Sequence, residues 1–73
     1  MNEVEIIKNF YGQIIGKLET QSNGDKIAKD FYGKILGKYV KAQNVTKNFY
    51  GQIVAKGDIT SALVWEEYNK NKF

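Results

Sequence analysis

The chain has no cysteine, no histidine, no proline and no arginine among its 73 residues. Without cysteine there is no disulfide, and without cysteine or histidine a structural zinc site lacks its usual ligands. The same gaps remove the nucleophile–base pairs of hydrolases, which set a Ser or Cys beside a His. A chain this short buries only about 60% of its unfolded surface, and one small core supplies roughly 3–5 kcal/mol. Self-association is the support left open.

Long hydrophobic runs are missing too. The longest, Ala62-Leu63-Val64-Trp65, is far too short to span a bilayer. The acidic opening with Glu3 and Glu5 is unlike the basic start of a signal peptide. The expectation is a cytoplasmic protein with no membrane span. Eleven lysines against eight acids give a net charge of +3 and a pI near 9.2. That is mildly basic, compatible with phosphates as partners and equally with an ordinary surface.

What the chain does have is an internal repeat. Lys8-Asn9-Phe10-Tyr11-Gly12-Gln13-Ile14-Ile15-Gly16-Lys17 returns at Lys29–Lys38 and again at Lys47–Lys56, with six of the ten positions identical in all three units. The periods are 21 and 18 residues, the difference lying in the connectors. Constant units on elastic connectors are the signature of stacked supersecondary elements.

Each unit reads as a β-hairpin. Asn9, Asp30 and Asn48 stand three residues before a glycine, the pattern of a type I turn followed by a left-handed glycine. The loop is then Phe-Tyr-Gly. In the first unit a regular ladder would set Lys8 against Ile14, Ile7 against Ile15 and Ile6 against Gly16. Asn23-Gly24 between the first two units is a further hairpin signal. Helix is the competing reading, since Phe10, Ile14 and Leu18 are four apart. Two glycines in each of two units, at about 1 kcal/mol apiece inside a helix, oppose it.

From Asp58 onward the pattern changes to that of a helix, with Asp58 as cap and Ile59, Ala62, Leu63, Trp65 and Tyr68 on a broad apolar side. Asn69 to Phe73 read as a frayed end. The expected fold is mainly β (α+β). It is one domain over 1–73, a six-stranded antiparallel meander of three hairpins (about 4–19, 25–40 and 43–58) with one C-terminal helix, about 58–70, packed on one face.

The regular ladder assigns the faces. Ile14, Ile35 and Ile53, with Gly16, Gly37 and Ala55 leaving room for close approach, would meet the helix. The other face would carry Ile7, Ile15, Leu36, Val40 and Val54 as an uncovered apolar band, an interaction surface for a second copy or a protein partner.

The search for chemistry is short. No acid recurs at one repeat position in all three units, and Glu66 and Glu67, adjacent on a helix, point apart. Gly12-x-x-x-Gly16 lacks the Lys-Ser/Thr ending of a phosphate loop. No catalytic, cofactor-binding or metal-binding residues are expected, and no enzyme. The repeat does align Lys8, Lys29 and Lys47, then Lys17, Lys38 and Lys56, with Tyr11, Tyr32 and Tyr50. Lysines interleaved with aromatic rings can hold single-stranded nucleic acid, although arginine is the better phosphate fork.

The thrice-repeated Lys-(Asn/Asp)-Phe-Tyr-Gly-x-Ile-x-(Gly/Ala)-Lys resembles small bacterial proteins of unknown function built from tandem Asp-Phe-Tyr-Gly-x-Ile-Leu-Gly units. The resemblance spans Ile6 to Asp58. It implies a bacterial source and a repeat architecture and carries no activity. The functional expectation is therefore a non-enzymatic structural or protein-interaction module, a homodimer or other homo-oligomer. Nucleic-acid or polyanion binding through the lysine and tyrosine rows is the alternative.

Overall fold

Three identical sequence signals become three identical turns. In the computed structural model, which describes residues 3–70, the Oδ1 atoms of Asn9, Asp30 and Asn48 each accept the backbone N–H of the following Tyr, at 2.9 Å in every loop. A second N–H, from Gln13, Lys34 or Gln52, reaches the same oxygen at 2.8–3.0 Å. The glycine that ends each loop donates its N–H back to the Asx carbonyl, at 3.0–3.1 Å. Gly12, Gly33 and Gly51 take φ of 78°, 85° and 82°, a region that side chains with a Cβ avoid.

The turns join β1 (Glu3–Lys8) to β2 (Ile14–Thr20), β3 (Lys26–Asp30) to β4 (Ile35–Val40), and β5 (Val45–Asn48) to β6 (Ile53–Lys56). The six strands form one antiparallel sheet in the order β1-β2-β3-β4-β5-β6. A single helix, α1 (Thr60–Lys70), packs across β2, β3 and β4. The meander with one C-terminal helix is as the sequence reading has it. Asn69 and Lys70 belong to the helix, while 71–73 of the expected frayed end lie outside the described residues.

The ladder is not regular, and that reverses part of the face assignment. Lys8 pairs with Ile14, but Ile7 pairs with Gly16, so Ile15 is an extra residue in a β-bulge. The same bulge recurs at Leu36, between the Lys29–Ile35 and Ala28–Gly37 pairs, and at Val54, between Lys47–Ile53 and Thr46–Ala55. Two residues on one strand then oppose one on the other, and the alternation beyond the bulge changes phase.

The outcome corrects the expected interaction band. Ile7 and Ile15 are not uncovered; with Leu18, Ala28 and Val64 they form the buried core beneath α1, and Leu36 packs against it. Val54, at the equivalent bulge on β6, is exposed, and Val40 stands half-buried on the uncovered face, in phase with Lys38 and Lys47. Conversely Ile14, Ile35 and Ile53, expected under the helix, are 46%, 44% and 61% exposed.

Glycines let the helix approach. A Cβ on Gly16 would lie 2.5 Å from both the Lys29 carbonyl and Val64 Cγ1, and one on Gly37 would meet Leu63 Cδ1 at 2.7 Å. At the matching position of β6, beyond the strands that α1 chiefly covers, the chain carries Ala55. Thr46, fully buried, bonds the sheet to the helix entry: its hydroxyl donates to the Gly57 carbonyl at 2.7 Å and accepts the Ile59 N–H at 3.0 Å.

Candidate functional site

The bulges decide which side chains stand on the uncovered face. Lys8, Lys17, Lys29, Lys38, Lys47 and Lys56 all fall on it, since each is paired with, or in step with, residues pointing away from α1. Lys17 is the direct cross-strand partner of Lys29, and Lys38 of Lys47. Among the described strand residues the one acid in the same phase is Glu19; Glu3 and Glu5 pair with Thr20 and Leu18 on the helix side. Six lysines less one glutamate leave five positive charges here, more than the +3 of the whole chain.

Glu19 is engaged. Its Oε2 lies 3.0 Å from Lys29 Nζ and 3.5 Å from Lys17 Nζ. The Lys29 hydrogen bond, then the two lysine charges, hold its carboxyl below the usual glutamate value. In the second unit the residue corresponding to Glu19 is Val40, so the Lys38–Lys47 pair has no counterpart of this acid.

Between the lysines run Val4, Ile6, Ile14, Ile35 and Ile53, all exposed. At one end of the sheet stand the three loops. Tyr11, Tyr32 and Tyr50 are more than four-fifths exposed, and Phe31 and Phe49 meet Tyr32 and Tyr50 edge to face with ring centroids 5.4 and 5.5 Å apart. The sequence-derived tyrosine row thus forms a rim at the loop end of the lysine face rather than alternating with it.

On the other side, Asp58 fixes the start of α1. Its Oδ1 accepts the Thr60 N–H and hydroxyl, and its Oδ2 lies 2.8 Å from Lys26 Nζ. Burial pushes the Asp58 carboxyl up, but these hydrogen bonds and the Lys26 charge outweigh it, and the net shift is downward. The far end of the helix is tied by Asn9, whose Nδ2 donates to Tyr68 Oη at 3.1 Å. This contact joins residues 59 apart in the chain, and no short-range pattern announces it.

Among the described residues no group of acids could hold a metal ion, and no helix is long and apolar enough to cross a membrane. No family model matches the chain, nor does any curated protein or solved structure.

Proposed function

We propose that the protein is a non-enzymatic binding module that lays an extended polyanion across its uncovered sheet face, and that it works in the cytoplasm, where nucleic acids supply such ligands. One observation carries the reading: all six repeat lysines share the face that α1 leaves open, with a single acid among them. A field of one sign on an open sheet face steers and holds a chain of anions. The same field repels a second copy face to face, so self-association across this surface is disfavoured.

The test is a salt titration of binding to a fluorescent oligonucleotide and to polyphosphate. Log affinity should fall linearly with log salt, by about 0.7 per phosphate neutralised on a single strand. Lys38→Glu with Lys47→Glu should abolish binding while leaving the fold intact by circular dichroism. Absence of binding to both anions at low salt sinks the reading.

A second reading, a homo-oligomer, rests on the two open edges. Phe31 and Phe49, each beside a preceding hairpin, are 63% and 60% exposed, whereas Phe10, with none before it, is 98% exposed. Ile53, with no hairpin after it, is likewise barer than Ile14 or Ile35. In a meander β1 of another copy would run antiparallel to β6 and bring those two ends together, a head-to-tail contact that can repeat. Sedimentation over a range of concentrations decides it: growth that Ile53→Lys prevents supports the contact, and a monomer throughout excludes it.

A further inference from the structure

The two junctions between hairpins are copies of one another. At the first, a notch on the uncovered face is lined by Ile14, Lys17, Asp30, Phe31 and Tyr32; at the second, by Ile35, Lys38, Asn48, Phe49 and Tyr50. Every one of these residues has its counterpart at the same repeat position. The notches measure about 230 and 480 Å³, well beyond the roughly 30 Å³ of a water, so each has room for a planar ring. One strand step inward from each lies a directly opposed lysine pair, Lys17–Lys29 or Lys38–Lys47.

Each junction therefore joins an aliphatic floor, an exposed aromatic wall and two adjacent ammonium groups. Two strand spacings, about 9.6 Å, separate the copies. An anion without rings would use the lysines and leave the aromatic walls idle; a duplex would present phosphates but keep its bases stacked inside.

We infer that the two notches are base-binding subsites, and hence that the ligand of the lysine face is a single-stranded nucleic acid. The inference rests on the polyanion reading and narrows it. Bases insert against Tyr32 and Tyr50 with Ile14 and Ile35 beneath, while the flanking phosphates meet the lysine pairs. The Tyr50 notch is the stronger, because the Lys38–Lys47 pair beside it lacks the acid that Glu19 supplies at the first junction.

The experiment compares an oligothymidine, a duplex of equal length and polyphosphate, by fluorescence anisotropy and competition. Tyr32 and Tyr50 are 87% and 83% exposed, so Tyr32→Ala with Tyr50→Ala should leave thermal unfolding unchanged. Each stacking ring lost should weaken oligothymidine binding about tenfold, Tyr50 more than Tyr32, with polyphosphate binding untouched. Wild type should also prefer the single strand to the duplex. If oligothymidine and polyphosphate respond alike to the tyrosine substitutions, or the duplex binds as well, the base subsites fall and the polyanion reading stands. If neither anion binds the wild type, both fall.

Discussion

Lys17 and Lys29 stand directly opposite each other on β2 and β3, and Glu19 Oε2 reaches both ammonium groups, at 3.5 and 3.0 Å. Like charges facing across a ladder destabilise it, and Glu19 relieves this pair. Removing that relief should separate stability from binding. Glu19→Gln is expected to lower Tm slightly and to tighten oligonucleotide binding, with a steeper salt dependence. Weaker binding by the variant would show that the carboxylate positions the lysines rather than masking them.

The Lys26–Asp58 pair predicts the response to pH. Asp58 titrates below 3.8 in the fold, so its contribution is present above that value and is lost as pH falls through the folded pKa. Lys26 is raised above 10.5, chiefly by its hydrogen bond to Asp58, so its share is present below 10.5 and is lost as pH rises through the folded value. Thermal melts should show a plateau between these limits, falling on both sides. In Asp58→Asn the acid-side fall should shrink, and an unchanged acid limb would remove Asp58 as its cause.

Leu18 and Val64 belong to the same buried cluster. Leu18→Ala is expected to cost about 2–5 kcal/mol, comparable with the roughly 3–5 kcal/mol that a core of this size supplies. Circular dichroism should find the variant largely unfolded at room temperature. A cooperative melt near that of the wild type would mean that the sheet stands without this contact.

Gly16→Ala tests the close approach of helix to sheet. The added Cβ meets a backbone carbonyl as well as Val64, so the chain cannot yield by a rotamer change alone, and a loss of about 1–3 kcal/mol is expected. Val64→Ala in the same chain should restore part of it, since one of the two obstructing groups is trimmed. No recovery in the double variant would locate the clash in the backbone.

Tyr68→Phe removes the hydroxyl that receives the Asn9 amide. One part-buried hydrogen bond is worth about 0.5–1.5 kcal/mol, and hydrogen exchange should show faster opening of the last helical turn with the sheet amides unaffected. Uniform acceleration throughout would make the contact part of the global core.

Local rules settled much of this protein. Asx and Gly at fixed spacing specify the Phe-Tyr-Gly loops because the turn needs a side-chain acceptor at its start and a positive φ at its end, and both demands are met within a few residues. The meander follows, since hairpins with short connectors can only lie side by side, and Asp58 marks the helix start by its own hydrogen bonds to Thr60. Which face is covered was decided elsewhere. Ile14 and Ile15 are equally apolar neighbours, so the pattern fits either phase, and only a bulge at Ile15 sends it inward with Ile7 and Leu18. The bulge recurs in all three units, at Ile15, Leu36 and Val54, but what it buries depends on α1: the helix lies over Gly16 and Gly37 and covers Ile15 and Leu36, while Val54 on β6 stays exposed. The lysine face exists for the same reason. Its six residues are plain in the repeat, but their common side is a product of the bulge and the helix together.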